Sequence, residues 1–118
     1  MAARTGQNFE MWQGDVVTVS VEIEGLDQPL SEYDVHWAMM GRHGAEPLVF
    51  KATGGEGITT DGQTAQVLLV RADTVDKTPG RYHHEVRVLG GDAEGKVVTQ
   101  GVVLLRESTL GTWEPENG

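Results

Sequence analysis

The stretch Asp15-Val16-Val17-Thr18-Val19-Ser20-Val21-Glu22-Ile23-Glu24 sets the period of the whole chain. Val17, Val19, Val21 and Ile23 fall on one face, and Thr18, Ser20, Glu22 and Glu24 on the other. Apolar residues recurring at every second position, most of them β-branched, describe a half-buried β-strand and not a helix. The same period returns downstream. Tyr33, Val35, Trp37 and Met39 alternate with Asp34, His36 and Ala38, and Pro47 to Lys51 makes a short third strand. Ala65 to Arg71 is a fourth, and Arg81 to Leu89 a fifth with Tyr82, His84, Val86 and Val88 on one face. Val97 to Arg106 is apolar almost throughout, as a strand in mid-sheet is. Asn8 to Trp12 adds a leading strand.

Turn residues separate these runs: Gly25 to Pro29, Gly41 to Gly44, Gly54 to Gly57, Gly90 to Asp92, and Asp61-Gly62 as a tight hairpin. The one helical candidate is a turn at Ala72 to Lys77, stopped by Pro79-Gly80. Short strands in succession, with no helix to carry a parallel crossover, predict an all-β fold: a single immunoglobulin-like antiparallel β-sandwich of about seven strands. Tyr82 opens a strand after a turn, where such sandwiches place a corner tyrosine, and Trp37 lies mid-strand, where they place a core tryptophan. Packing in any sandwich is the alternative for both. The expected core contains Val17, Val19, Val21, Trp37, Val67, Tyr82, Val86 and Val103. Residues 8–107 form the sandwich, between a flexible arm at 1–7 and a tail at 108–118.

Composition narrows the function classes. The chain has 118 residues, a length that suits one domain. Nine Lys and Arg against 18 Asp and Glu give a net charge of -9, which argues against nucleic acid and against an anionic membrane surface as partners. The absence of cysteine excludes disulfides, zinc–thiolate sites and a Cys nucleophile. The segment Met1 to Asn8 carries one cation and no apolar core of a secretory signal, so a cytoplasmic site of synthesis is expected.

Chemistry-bearing motifs fail on inspection. Gly90-Gly91-Asp92-Ala93-Glu94-Gly95-Lys96-Val97 approaches a phosphate-binding loop, but Val97 replaces the hydroxyl residue and a strand, not a helix, follows. Adjacent His83 and His84 point to opposite faces of a strand and do not chelate together. A site from His36 with His83 is conceivable if their strands pair, but a solvated pair is the better expectation; His43 lies in a turn. Ser20, Ser31 and Ser108 lack a nucleophile-elbow context. No catalytic residue, cofactor or metal is therefore expected. Phe9, Met11, Trp12 and Trp113 lie near the chain ends, outside the strongest strands. They are candidate interface residues, with local capping of the sandwich as the open alternative.

The order of motifs carries a resemblance. Phe9-Glu10-Met11-Trp12-Gln13-Gly14-Asp15 leads into the first long strand, and Ala72-Asp73-Thr74 precedes Pro79-Gly80-Arg81-Tyr82. The closing strand reads Thr99-Gln100-Gly101-Val102-Val103-Leu104-Leu105. Across roughly residues 8 to 107 the chain resembles small Ig-like virion proteins of tailed bacteriophages, such as the N-terminal domain of baseplate upper proteins. Baseplate proteins continue into a receptor-facing region, and this sequence stops, which favours a stand-alone subunit. The resemblance implies a non-enzymatic structural protein of the virion, assembled in the host cytoplasm. It would decorate or cement the head, neck or tail by contacts with capsid or tail proteins, in multiple copies and with self-association left open. A carbohydrate- or surface-binding module, using Trp12 or Trp113 as a stacking platform, is the alternative.

Overall fold

The computed structural model describes residues 8–23, 25–42, 45–55, 57–90 and 96–109, with 96–99 as backbone only. Eight strands follow one another: β1 (Phe9–Trp12), β2 (Val17–Glu22), β3 (Asp34–Met40), β4 (Val49–Ala52), β5 (Ile58–Asp61), β6 (Thr64–Leu69), β7 (Gly80–Leu89) and β8 (Lys96–Arg106). They form two sheets, ordered β1-β8-β7-β3-β4 and β2-β6-β5, packed as the expected Ig-like sandwich. The leading strand is present, and β5, the first arm of the Asp61-Gly62 hairpin, brings the count to eight. The leading strand pairs parallel with β8, from Phe9 opposite Val103 to Trp12 opposite Arg106. Every other strand pair is antiparallel.

Alternation decides which side chains meet between the sheets. From the five-stranded sheet come Met11, Val35, Trp37, Met39, Val49, Tyr82, Val86, Val88, Val103 and Leu105. Val21, Ile58, Ala65, Val67 and Leu69 come from the other. Leu30, on a 3-10 turn at Leu30–Glu32 between β2 and β3, closes one end, and its N–H donates to the Gly62 carbonyl at 2.8 Å. Val17 and Val19 depart from expectation: they are half-buried, and the core begins at Val21. The reason is position, since β2 is the rim of its sheet and nothing among the described residues pairs with its outer edge.

Turn chemistry behaves as the sequence requires. Gly62, at φ 60°, makes the hairpin between Asp61 and Thr64. The helical turn begins one residue earlier than expected and ends three earlier, α1 at Arg71–Thr74, and the Val70 N–H donates to the Asp73 carboxylate at 2.8 Å. The Tyr82 hydroxyl donates to the Thr78 carbonyl, which is the tyrosine corner. Lys96 begins a strand antiparallel to β7, so a strand and not a helix follows the phosphate-loop-like segment; residues 91–95 lie outside the described residues. The arm at 1–7, and all but the first two residues of the tail, also lie outside them. No described helix is long and apolar enough to cross a membrane.

Candidate protein-interaction surface

Of the candidate interface residues, alternation along β1 splits the set. Phe9 and Met11 point between the sheets, and Glu10 and Trp12 point out. Met11 is fully buried in the core, so it is not available to a partner. Phe9 is half-buried and sets its ring edge-on to His84, with centroids 5.2 Å apart. Met11 thus belongs to the core, while Phe9 packs against it and remains partly accessible. Of the three, Trp12 alone is exposed, at 49%. Trp113 lies outside the described residues.

Trp12 is braced from the neighbouring strand. Parallel pairing puts it beside Arg106, whose guanidinium lies 5.7 Å from the indole centroid. The same guanidinium forms an ion pair with Glu10 at 3.0 Å. The Trp12 backbone N–H donates to the Asp15 carboxylate at 2.9 Å, which fixes the β1–β2 turn. The result is a large amphipathic ring held in place at a sheet rim. Next to it, Glu10, Arg81, Val102 and Leu104 line an open hollow of about 400 Å³ on the outer side of the five-stranded sheet. An apolar floor between an acid and a base suits contact with protein side chains.

Beneath this rim sits a polar knot that sequence reading missed. Gln13, nearly buried, donates from Nε2 to the Lys77 carbonyl at 2.7 Å and accepts at Oε1 from the Ser108 N–H at 3.1 Å. Its own N–H donates to the Arg106 carbonyl at 2.9 Å. The adjacent Gly14 N–H donates to Oγ1 of the buried Thr74 at 2.9 Å. One glutamine thus ties the start of the sandwich to the β6–β7 connection and to the end of β8. A lone glutamine beside a glycine carries no local signal of this, because its partners are 64 and 95 residues away.

The histidines divide by face. His36 lies opposite Arg87 and His83 opposite Met40, four positions apart on β7, or about 13 Å at a strand's rise. The two are therefore not brought together. His36 stacks edge-on against exposed Phe50, with centroids 5.2 Å apart. His84 is buried, and its Nδ1 accepts a hydrogen bond from the Trp37 indole at 3.1 Å. It stands two residues after the corner tyrosine, where antibody-type domains carry a cysteine. His43 lies outside the described residues. Among the described residues, no group of three His, Asp or Glu side chains is placed to hold a metal ion.

Searches against protein-family models and curated proteins give no match to this chain.

Proposed function

We propose that the chain is a non-enzymatic structural subunit of a tailed phage particle, fixed to larger head, neck or tail proteins through the Trp12 rim. The observation that carries the attachment surface is the exposed Trp12 ring, held by Arg106 and Glu10 at the sheet's edge. Trp and Arg dominate the energetics of protein interfaces because they bury a large area while keeping a polar handle. A ring already fixed loses little side-chain freedom on docking. The phage context rests on the motif resemblance between residues 8 and 107.

Mass spectrometry of purified particles, with copy number, tests the reading. The wild-type chain is expected in several copies per particle. Trp12→Ala is expected to fold normally and to reduce incorporation about tenfold or more, as loss of an anchor worth about 2 kcal/mol does. Absence of the wild-type chain from particles sinks the proposal. Retention of Trp12 binding to a glycan array, with no particle association, replaces it with the carbohydrate-binding alternative.

A further inference from the structure

We infer that the outer face of the five-stranded sheet, on its β3–β4–β7 side, is a docking surface for a second copy of this chain. The apolar part of this face is exposed Leu48 and Phe50, at 48% and 50%, on and just before the rim strand β4. Phe50 lies opposite Ala38 on β3, and Ala38 lies opposite Glu85 on β7. The band runs inward from the rim, and His36 packs edge-on against Phe50 to hold the ring upright.

Charge identifies the occupant. The chain carries -9, so most pairings of two copies oppose acids to acids. The outer face of the three-stranded sheet shows this: Glu22 and Asp61 project there, and no lysine or arginine lies on β2, β5 or β6. On the β3–β4–β7 side of the five-stranded sheet's outer face, Arg81 and Arg87 balance Asp34 and Glu85 among the described side chains. A two-fold interface brings the same patch against itself, so it must complement itself. A patch with both signs does so, because cations of one copy meet acids of the other. The distant acids matter little at contact, since charges more than about 8 Å apart are screened at physiological salt.

Size sets the strength. Three strands at about 4.8 Å spacing and seven residues at about 3.3 Å give a patch of roughly 14 by 23 Å. Two such patches cover on the order of 650 Å² in projection, well under a standard specific interface, so the dimer is weak and reversible. This inference does not depend on the virion reading. It is read on the isolated chain, and particle incorporation is read on virions, so either can fail alone.

Sedimentation equilibrium of the full chain from about 5 to about 500 µM is the test, with a dissociation constant expected in the range of roughly 10–100 µM for so small an interface. Phe50→Asp is expected to weaken it at least tenfold, on the order of a lost interface anchor. Leu68→Asp, on the outer face of the other sheet, is expected to leave it unchanged. Arg87→Glu makes the patch acidic and is expected to weaken the dimer about tenfold, and adding Glu85→Arg to restore most of it. All four side chains project from the sheet surface, so the variants fold. A monomer throughout the range overturns the inference, as does a dimer that tolerates Phe50→Asp or responds equally to Leu68→Asp.

Discussion

The indole N–H of Trp37 donates to Nδ1 of His84 across the β3–β7 pair at 3.1 Å, inside the core of the sandwich. The two rings lie 5.9 Å apart and tilted, so the contact is a directed hydrogen bond with ring packing and not a parallel stack. In this cysteine-free chain His84 stands where antibody-type domains carry one cysteine of their inter-sheet disulfide, and it is tied instead to Trp37 on the neighbouring strand of its own sheet. A hydrogen bond there cannot match a covalent cross-link in strength. It does orient the largest core side chain, since an indole N–H buried without an acceptor costs about 1–3 kcal/mol.

Truncating that tryptophan has two separable consequences. Trp37→Ala is expected to destabilise the fold by about 3–5 kcal/mol in urea unfolding, through the lost packing and the cavity left. Trp37→Phe keeps most of the packing and removes the donor, and is expected to cost about 1–3 kcal/mol. In a double-mutant cycle with His84→Leu the pair should show a coupling of at least about 0.5 kcal/mol. Strict additivity would mean that the hydrogen bond contributes nothing.

Tyr82→Phe removes only the hydroxyl that donates to the Thr78 carbonyl. The expected loss is about 1 kcal/mol, the usual net value of such a bond. Amide exchange at Thr78 and Gly80 is expected to speed up more than exchange in β3, because the corner is anchored by that hydroxyl.

Gln13→Ala leaves the Lys77 carbonyl and the Ser108 N–H without the glutamine and is expected to cost roughly 2 kcal/mol. The Ser108 amide should lose protection against hydrogen exchange in this variant. Unchanged protection there would show that Gln13 does not hold the end of β8.

Gly57 and Gly55 offer a matched comparison. Both have φ near +100°, at 97° and 98°, so alanine is strained at each by about 1–2 kcal/mol. At Gly55 the added methyl meets open space, whereas at Gly57 it would lie 2.7 Å from Cδ of Lys51. Lys51 holds the Asp73 carboxylate at 2.8 Å in a mostly buried ion pair. Gly57→Ala is therefore expected to lower stability clearly more than Gly55→Ala, and the excess should shrink in a Lys51→Ala background. Equal losses would refute the contact.

Period alone determined much of this molecule. The alternation of Val17 to Ile23 marks β2, and the placing of Tyr82, His84, Val86 and Val88 on one face is correct to the residue. These are local properties, because the pleat sends neighbours to opposite faces whatever the strand pairs with. The same rule, applied to β1, separates Phe9 and Met11 from Glu10 and Trp12.

What period cannot supply is the neighbour across the sheet. Whether an inward residue is covered depends on the strand order, and strand order is set by contacts far apart in sequence. So Val17 and Val19, inward on a rim strand, stay half-buried, and Met11, inward beside β8, belongs to the core and not to an interface. The register of β3 on β7 parts His36 from His83 and gives His84 to Trp37. The pairing of β1 with β8 sets Arg106 against Trp12, and the closure of the chain ends brings Gln13 to Lys77 and Ser108. Each of these contacts joins groups whose individual sequences carry no mark of the other, because a hydrogen bond or ring contact depends on position in space and the chain encodes that position only through the fold as a whole.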